Sequence, residues 1–206
     1  MSKPVIIIGG GDHGAVVADV LLLSRRTILG VADPALSPDK PWHFGIPVLG
    51  DDDVISGFSP DSVELVNGIG FLPRSQRRQQ IFQQWQSQGY GFSNVVHPAA
   101  TIGREVAMED GVQIMAAAVI NVRAMLRANC IINTAAVIEH DVIVGQHCHV
   151  APGAIICGGS QLGEACFIGA NATVIHYQTL KANTTVPAGG LVNDCRYPSA
   201  LQEVRS

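Results

Sequence analysis

From Leu126 the chain reads LRANCI INTAAV IEHDVI VGQHCH VAPGAI ICGGSQ (126–161), in blocks of six that each open on an aliphatic residue and carry a small or β-branched residue fifth. The frame runs without an insertion from Ile102 to Leu191, through 15 hexads. Every first position is aliphatic, from Ile102 and Met108 to Leu180 and Val186, and among the fifth positions only Gln178 departs from the small or β-branched type. A strict period of six matches neither the 3.6-residue repeat of an amphipathic helix nor the alternation of a half-buried strand. It predicts a β-solenoid. With one hexad to each side of a triangular coil, three hexads close a turn, and five coils stacked at roughly 4.8 Å make a column about 24 Å tall. The first positions point inward, each contributing roughly 1.5–3 kcal/mol when fully buried.

Cys130, Cys148 and Cys166 recur at equal intervals of three hexads, so they are expected to stack in one corner as small buried hydrophobes, with a redox role as the alternative. Five cysteines without CxxC or Cys/His zinc spacing argue against a secreted disulfide framework. The irregular hexad around His176, Tyr177 and Gln178 suggests a local distortion of the coil.

The first 95 residues follow a different rule. Val5-Ile6-Ile7-Ile8 is a buried-strand run, GGGDHG (9–14) a glycine turn, and Ala15–Ser24 an apolar helix. A second strand is expected over 28–32, ending at Asp33, a third over 62–67, and a polar helix over 74–88 with Ile81, Phe82 and Trp85 as its apolar stripe. The order describes half of a doubly wound α/β unit, too short for a full dinucleotide domain. His97-Pro98 marks the seam, giving domains at 1–95 and 96–206.

Gly9, Gly11 and Gly14 satisfy GxGxxG between a strand and a helix, and Asp33 follows where the second strand ends. Such glycines let a phosphate approach the backbone, the helix N-terminus offers unpaired N–H groups, and the acid accepts a ribose or base hydrogen bond. A purely structural tight turn is the competing reading. His13 either touches the ligand or is an exposed residue of the first helical turn. Asn67, Gly68 and Gly70 either line the same crevice or form a plain loop.

With 47% hydrophobic and 15% charged residues, the 206-residue chain is too apolar for disorder and can bury a sizeable core. Thirteen basic residues against 17 acidic ones, with no long run of either sign, exclude an extended nucleic-acid surface. No apolar stretch reaches the roughly 18–20 residues of a membrane span, and the chain opens into a strand rather than a signal-peptide core. A cytoplasmic protein is expected.

Of the seven histidines, His140 stands third in its hexad, facing outward, between Glu139 and Asp141. An imidazole oriented by a carboxylate is a general base for an attacking amine or hydroxyl. A solvated histidine on a coil face is the alternative, and spacing does not choose between them.

The glycine turn, the short Rossmann-like half, the His-Pro seam, the hexads and the run IEHDVIVGQHCHVAPGA (138–154) together resemble the PglD/NeuD-like bacterial sugar acyltransferases of the hexapeptide-repeat superfamily. The resemblance covers nearly the whole chain, and the hand of the solenoid, left-handed, comes from it alone. It implies a cytoplasmic homotrimer that uses acetyl-CoA, with active sites between neighbouring β-helices and a nucleotide-linked sugar held by the N-terminal half through Gly9, Gly11, His13, Gly14, Asp33 and Gly68. Carried over by position, His140 is the general base, oriented by Asp141 or Glu139. Asn133 and His149 are contacts near the acetyl group or sugar, and Gly158, three hexads beyond His140, offers its N–H to the thioester carbonyl. The leading reading is N-acetylation of a UDP-linked 4-amino-4,6-dideoxy sugar for a surface glycan, Asp33 and the complete glycine turn favouring UDP. Relatives commonly end in a G-x-P-A-K-like segment, whereas this chain has Cys195-Arg196-Tyr197-Pro198-Ser199-Ala200, which puts coenzyme contacts from that end in question.

Three other readings compete. The first is O-acetylation of sialic acid or a related sugar by the same scaffold. A solenoid that only scaffolds an assembly would leave the Glu139-His140-Asp141 run without a task. A zinc site like that of γ-class carbonic anhydrases would join His140, His176 and His147 or His149, but Lys181 stands where a close third ligand belongs, so no metal is expected. Ala116, Ala117 and Ala135 point outward in this frame, an apolar face suited to trimer packing.

Overall fold

The computed structural model describes residues 2–71 and 75–193, in two compact units. One runs to Pro98 and includes Glu109–Gln113; the other takes Ala99–Met108 and the chain from Ile114 onward.

In the first unit, β1 (Val5–Ile8) is buried on both faces, as the continuous aliphatic run requires of a central parallel strand. The glycine turn leads into α1 (Asp12–Leu23), which starts three residues before the apolar run because Gly11, in extended conformation, is its N-cap. β2 (Ile28–Ala32) falls where expected. β3 (Val48–Gly50) is an addition, three residues in the loop rich in Pro and Asp and too short to show a period. β4 (Glu64–Asn67) and α2 (Arg77–Ser87) complete the unit, α2 burying Ile81, Phe82 and Trp85 together with Arg78. All strands are parallel, in the order β3-β2-β1-β4. The chain leaves β1 on one side for β2 and β3 and returns on the other as β4, so the carboxyl ends of β1 and β4 flank a topological switch point, where α/β sheets open a ligand crevice. Behind β4, Phe82 packs on Phe92 (4.4 Å between centroids) and Trp85 edge-on to Tyr90 (5.3 Å).

The second unit is a left-handed β-helix of two-residue strands, each made of the sixth position of one hexad and the first of the next. Each strand pairs in parallel with the strand three hexads away, Met125 with Ile143 and Ile138 with Ile156, so three hexads close each coil. Thirteen of the 15 first positions are buried; Ile102 and Met108, in the first two hexads, are not. The corners obey a rule of their own: all 15 fourth positions, from Glu105 to Gly189, have φ between 54° and 72°. Eleven are not glycine, so the stacked ladder holds side chains in the left-handed region at these corners despite a cost of roughly 1–2 kcal/mol each.

Tyr177 takes the same corner conformation (φ 59°) as its counterparts, and the expected distortion around His176 is absent. Gln178 fits because Ser160, one coil below, is small: its hydroxyl accepts from the Gln178 N–H (3.2 Å) and donates to the Ile175 carbonyl (2.8 Å). The three stacked cysteines are buried, each thiol donating to a carbonyl 15 residues on, at 2.9 Å for Cys130, 3.0 Å for Cys148 and 3.2 Å for Cys166. Their neighbouring thiols and burial push the Cys148 and Cys166 thiols far up, which keeps them unreactive. No helix among the described residues is long and apolar enough to cross a membrane.

Candidate active site

His140 sits at a corner of the β-helix with its side chain 46% exposed, and its Nδ1 lies 2.8 Å from Asp141 Oδ2. Arg123 and the imidazole hold the Asp141 carboxyl well below the usual carboxylate range, so it is an acceptor only and Nδ1 carries the proton. The lone pair is then on Nε2. The corner explains why Asp141 makes this contact: in the left-handed region (φ 60°) the short carboxylate turns back to its neighbour. Glu139 is engaged elsewhere. Its Oε2 accepts from Asn121 Nδ2 (3.1 Å) and from the His140 backbone N–H (3.4 Å), so of the two candidate carboxylates Asp141 orients the ring.

One coil above, Gly158 and Gly159 leave a notch. A Cβ on Gly158 would stand 2.6 Å from His140 Nε2, so the ring lies across this glycine. A Cβ on Gly159 would meet the Tyr177 ring at 2.6 Å from the other side. Of the 15 third-position residues only Gly158 is buried, and among the described residues its N–H meets no acceptor. At the same hexad position the N–H of Val122 is capped by Asn121 Oδ1 (3.0 Å) and that of Thr134 by Asn133 Oδ1 (2.7 Å), but Cys157, which precedes Gly158, has no oxygen to supply. A buried, unpaired N–H beside an imidazole lone pair can take the oxygen of a carbonyl that acquires negative charge.

Asn133 and His149, expected near the acetyl group, pair with each other (Nδ2 to Nε2, 3.3 Å), and His149 packs edge-on to Phe167. His147 is buried and bonds Asn129 through Nδ1 (2.9 Å). His176 is exposed. Among the described residues no three His, Cys, Asp or Glu side chains converge as metal ligands. The segment 195–200 lies outside the described residues.

In the other unit the glycines meet at the carboxyl ends of β1 and β4. Gly9 turns with φ +95°, and Cβ atoms on Gly14 or Gly68 would run into the Gly9 carbonyl oxygen, so both positions must lack a side chain for helix, strand and loop to close together. Gly11 faces open space at the start of α1, whose first-turn N–H groups have no acceptor within the helix. Asp33 braces the turn: Oδ2 accepts from the Gly10 N–H (2.7 Å) and Oδ1 from the Ala35 N–H (2.8 Å). Trp42 Nε1 donates to the Gly10 carbonyl (2.9 Å).

His13 is drawn into a buried polar network. Gln113 Nε2 donates to the Asn67 carbonyl (2.7 Å), which leaves Gln113 Oε1 to accept from His13 Nε2 (2.8 Å). Arg78 donates to the carbonyls of Asn67 (3.0 Å) and Ile69 (2.7 Å), fixing the loop after β4. Burial first, and the Arg78 charge second, push the His13 imidazole down to about 4. Between pH 6.5 and about 4 the unfolded chain binds a proton here that the folded chain refuses, so the stability this ring confers is complete above 6.5 and drains as pH falls. At roughly 1.4 kcal/mol per unit the loss reaches about 3 kcal/mol by pH 4. His13→Asn, without the proton site, is expected to lose correspondingly less between pH 7 and 4 in urea unfolding. Parallel stability profiles for the two proteins would contradict this.

Sequence reading missed Asn121, Arg123, Tyr177, Arg78 and Gln113. The three-hexad interval could have found the first three, since Asn121 and Arg123 stand one coil before Glu139 and Asp141, and Tyr177 one coil after Gly159. Arg78 and Gln113 carried no such signal.

Comparison with known proteins matches residues 4–85 to the PglD N-terminal domain and residues 141–176 to the bacterial transferase hexapeptide family (six repeats). A histidine-to-asparagine variant of perosamine N-acetyltransferase from Caulobacter crescentus, solved with CoA and GDP-perosamine, is 32% identical, covering 94% of this chain and 90% of that one, with a TM-score of 0.84. The acetyltransferase domain of PglB from Neisseria gonorrhoeae is 26% identical, covering 96% and 94%, with a TM-score of 0.85. With its glycine turn, its β-helix and this likeness over nearly its full length, the chain belongs to the PglD-like sugar acetyltransferases of the hexapeptide-repeat superfamily.

Proposed function

We propose that this protein transfers acetyl from acetyl-CoA to the amino group of a nucleotide-linked 4-amino-4,6-dideoxy sugar, for a surface glycan. The observation that carries the reading is the His140 ring, its proton committed to Asp141 and its free Nε2 beside the buried, uncapped N–H of Gly158. His140 takes the proton that the amine loses as its nitrogen bonds to the acetyl carbon, and passes it to the sulfur as the carbon–sulfur bond breaks. Gly158 N–H faces the carbonyl oxygen while it is negative.

Labour divides between the halves. Residues 1–95 hold the nucleotide sugar, with the diphosphate at Gly9, Gly11 and Gly14, and residues 96–206 hold the coenzyme and the base. His13, Asp33 and Gly68 shape the nucleotide crevice. Asp33→Ala is expected to raise KM for the sugar nucleotide several-fold and leave KM for acetyl-CoA near parental; equal rises would indicate a general loss of fold. Ala117 and Ala135 are exposed small residues on the β-helix, consistent with a homotrimer, and Asn133 and His149 are contacts near the acetyl group or the sugar.

UDP is the carrier expected from the sequence, and the C. crescentus relative was solved with a GDP sugar. The deciding assay incubates the protein and acetyl-CoA with UDP- and GDP-linked 4-amino-4,6-dideoxy sugars and with free sialic acid, following CoA release and the product mass. Release with a nucleotide amino sugar supports this reading. Release with sialic acid alone would replace it by O-acetylation.

A further inference from the structure

The geometry points to Arg123 as a positioning residue that holds Asp141 against the His140 ring. This inference rests on the reading of His140 as the general base. Arg123 lies one coil below Asp141, and its Nε and Nη2 grip the two carboxylate oxygens at 2.7 and 2.8 Å, a bidentate fork that leaves Oδ2 still able to accept from His140 Nδ1 at 2.8 Å. The same coil supplies Asn121 to Glu139, so Asn121-Val122-Arg123 forms a shelf beneath Glu139-His140-Asp141.

Two consequences follow. An aspartate on an exposed corner has rotamers that would carry its carboxylate off the imidazole, and the fork removes them. The guanidinium also offsets part of the charge of the carboxylate that the ring faces. The other groups around His140 are Glu139 beside it, Glu105 two coils below, which acts on Arg123, Cys157 above, whose thiol is pushed up by burial and then by Glu139, and His176 with Tyr177 two coils above. Among these, Arg123 alone is a fixed cation bonded to the orienting carboxylate.

The test is the pH dependence of kcat in Arg123→Ala, Arg123→Lys, Asp141→Asn and the double variant Arg123→Ala/Asp141→Asn. Arg123→Ala is expected to lower kcat about tenfold and to move the ascending limb upward, because the ring now faces an unshared carboxylate. Arg123→Lys restores the limb, since the charge returns, with only partial recovery of kcat, since the fork does not. In the Asp141→Asn background, removing Arg123 should leave the limb where it is. A limb unmoved by Arg123→Ala, or moved equally in both backgrounds, overturns the inference. If His140→Ala itself retains the ascending limb, the reading of the base fails instead, and the two failures are told apart by that one profile.

Discussion

Replacing His140 with alanine is expected to lower kcat by about 10²–10⁴, the usual contribution of a positioned general base, with little change in either KM. The nucleophile must shed a proton as it adds to a carbonyl, and His140 is the imidazole whose Nδ1–H is committed to a carboxylate, at 2.8 Å, so that Nε2 is free to receive it. The fold should be indifferent, because the side chain is about half exposed and buries nothing of the coil interior. The ascending limb of the parental pH profile is expected to disappear in the variant. His176 stands two coils above without a flanking carboxylate, and His149 is bonded to Asn133, so alanine at either costs far less. Near-parental turnover of His140→Ala, with activity and bound zinc lost together in His176→Ala, would sink acyl transfer as the mechanism and install a metal site.

Gly158→Ala is expected to be nearly as damaging to turnover, by roughly 10²-fold, although it adds only a methyl group. That methyl would stand 2.6 Å from Nε2 and 2.7 Å from Cε1, closer than a Cβ approaches another heavy atom, so the ring must swing outward. Swinging it breaks the bond to Asp141 or carries Nε2 away from the Gly158 N–H; either separates the proposed base from the proposed oxyanion donor. The effect belongs in kcat, with KM for the sugar nucleotide expected to stay unchanged because the crevice proposed for it lies among the glycines of the other unit. The melting temperature should stay within a few degrees of the parent, since φ at Gly158 is ordinary and the strain falls on one half-exposed ring. A kcat within about threefold of the parent would mean that the ring is not held where its Nε2 meets this glycine.

What the sequence alone determined is whatever depends on chain period. Hexads from Ile102 to Leu191 require a solenoid because an aliphatic residue every sixth position can be buried only if the chain turns a corner once per hexad, and the glycine turn between an aliphatic run and a helix required the strand–turn–helix start. The Glu139-His140-Asp141 run was visible for the same local reason. The choice between Glu139 and Asp141 was not: it depends on the left-handed corner at Asp141, and on Asn121 and Arg123 engaging the two carboxylates from one coil away. His13 shows the same limit. Its position on the first helical turn suits an exposed ligand contact, and only the return of Gln113 to the first unit draws it into a half-buried network where its charge is suppressed. Periodicity acts along the chain and survives in the letters, whereas hydrogen-bond partners and burial are decided by residues that only folding brings together.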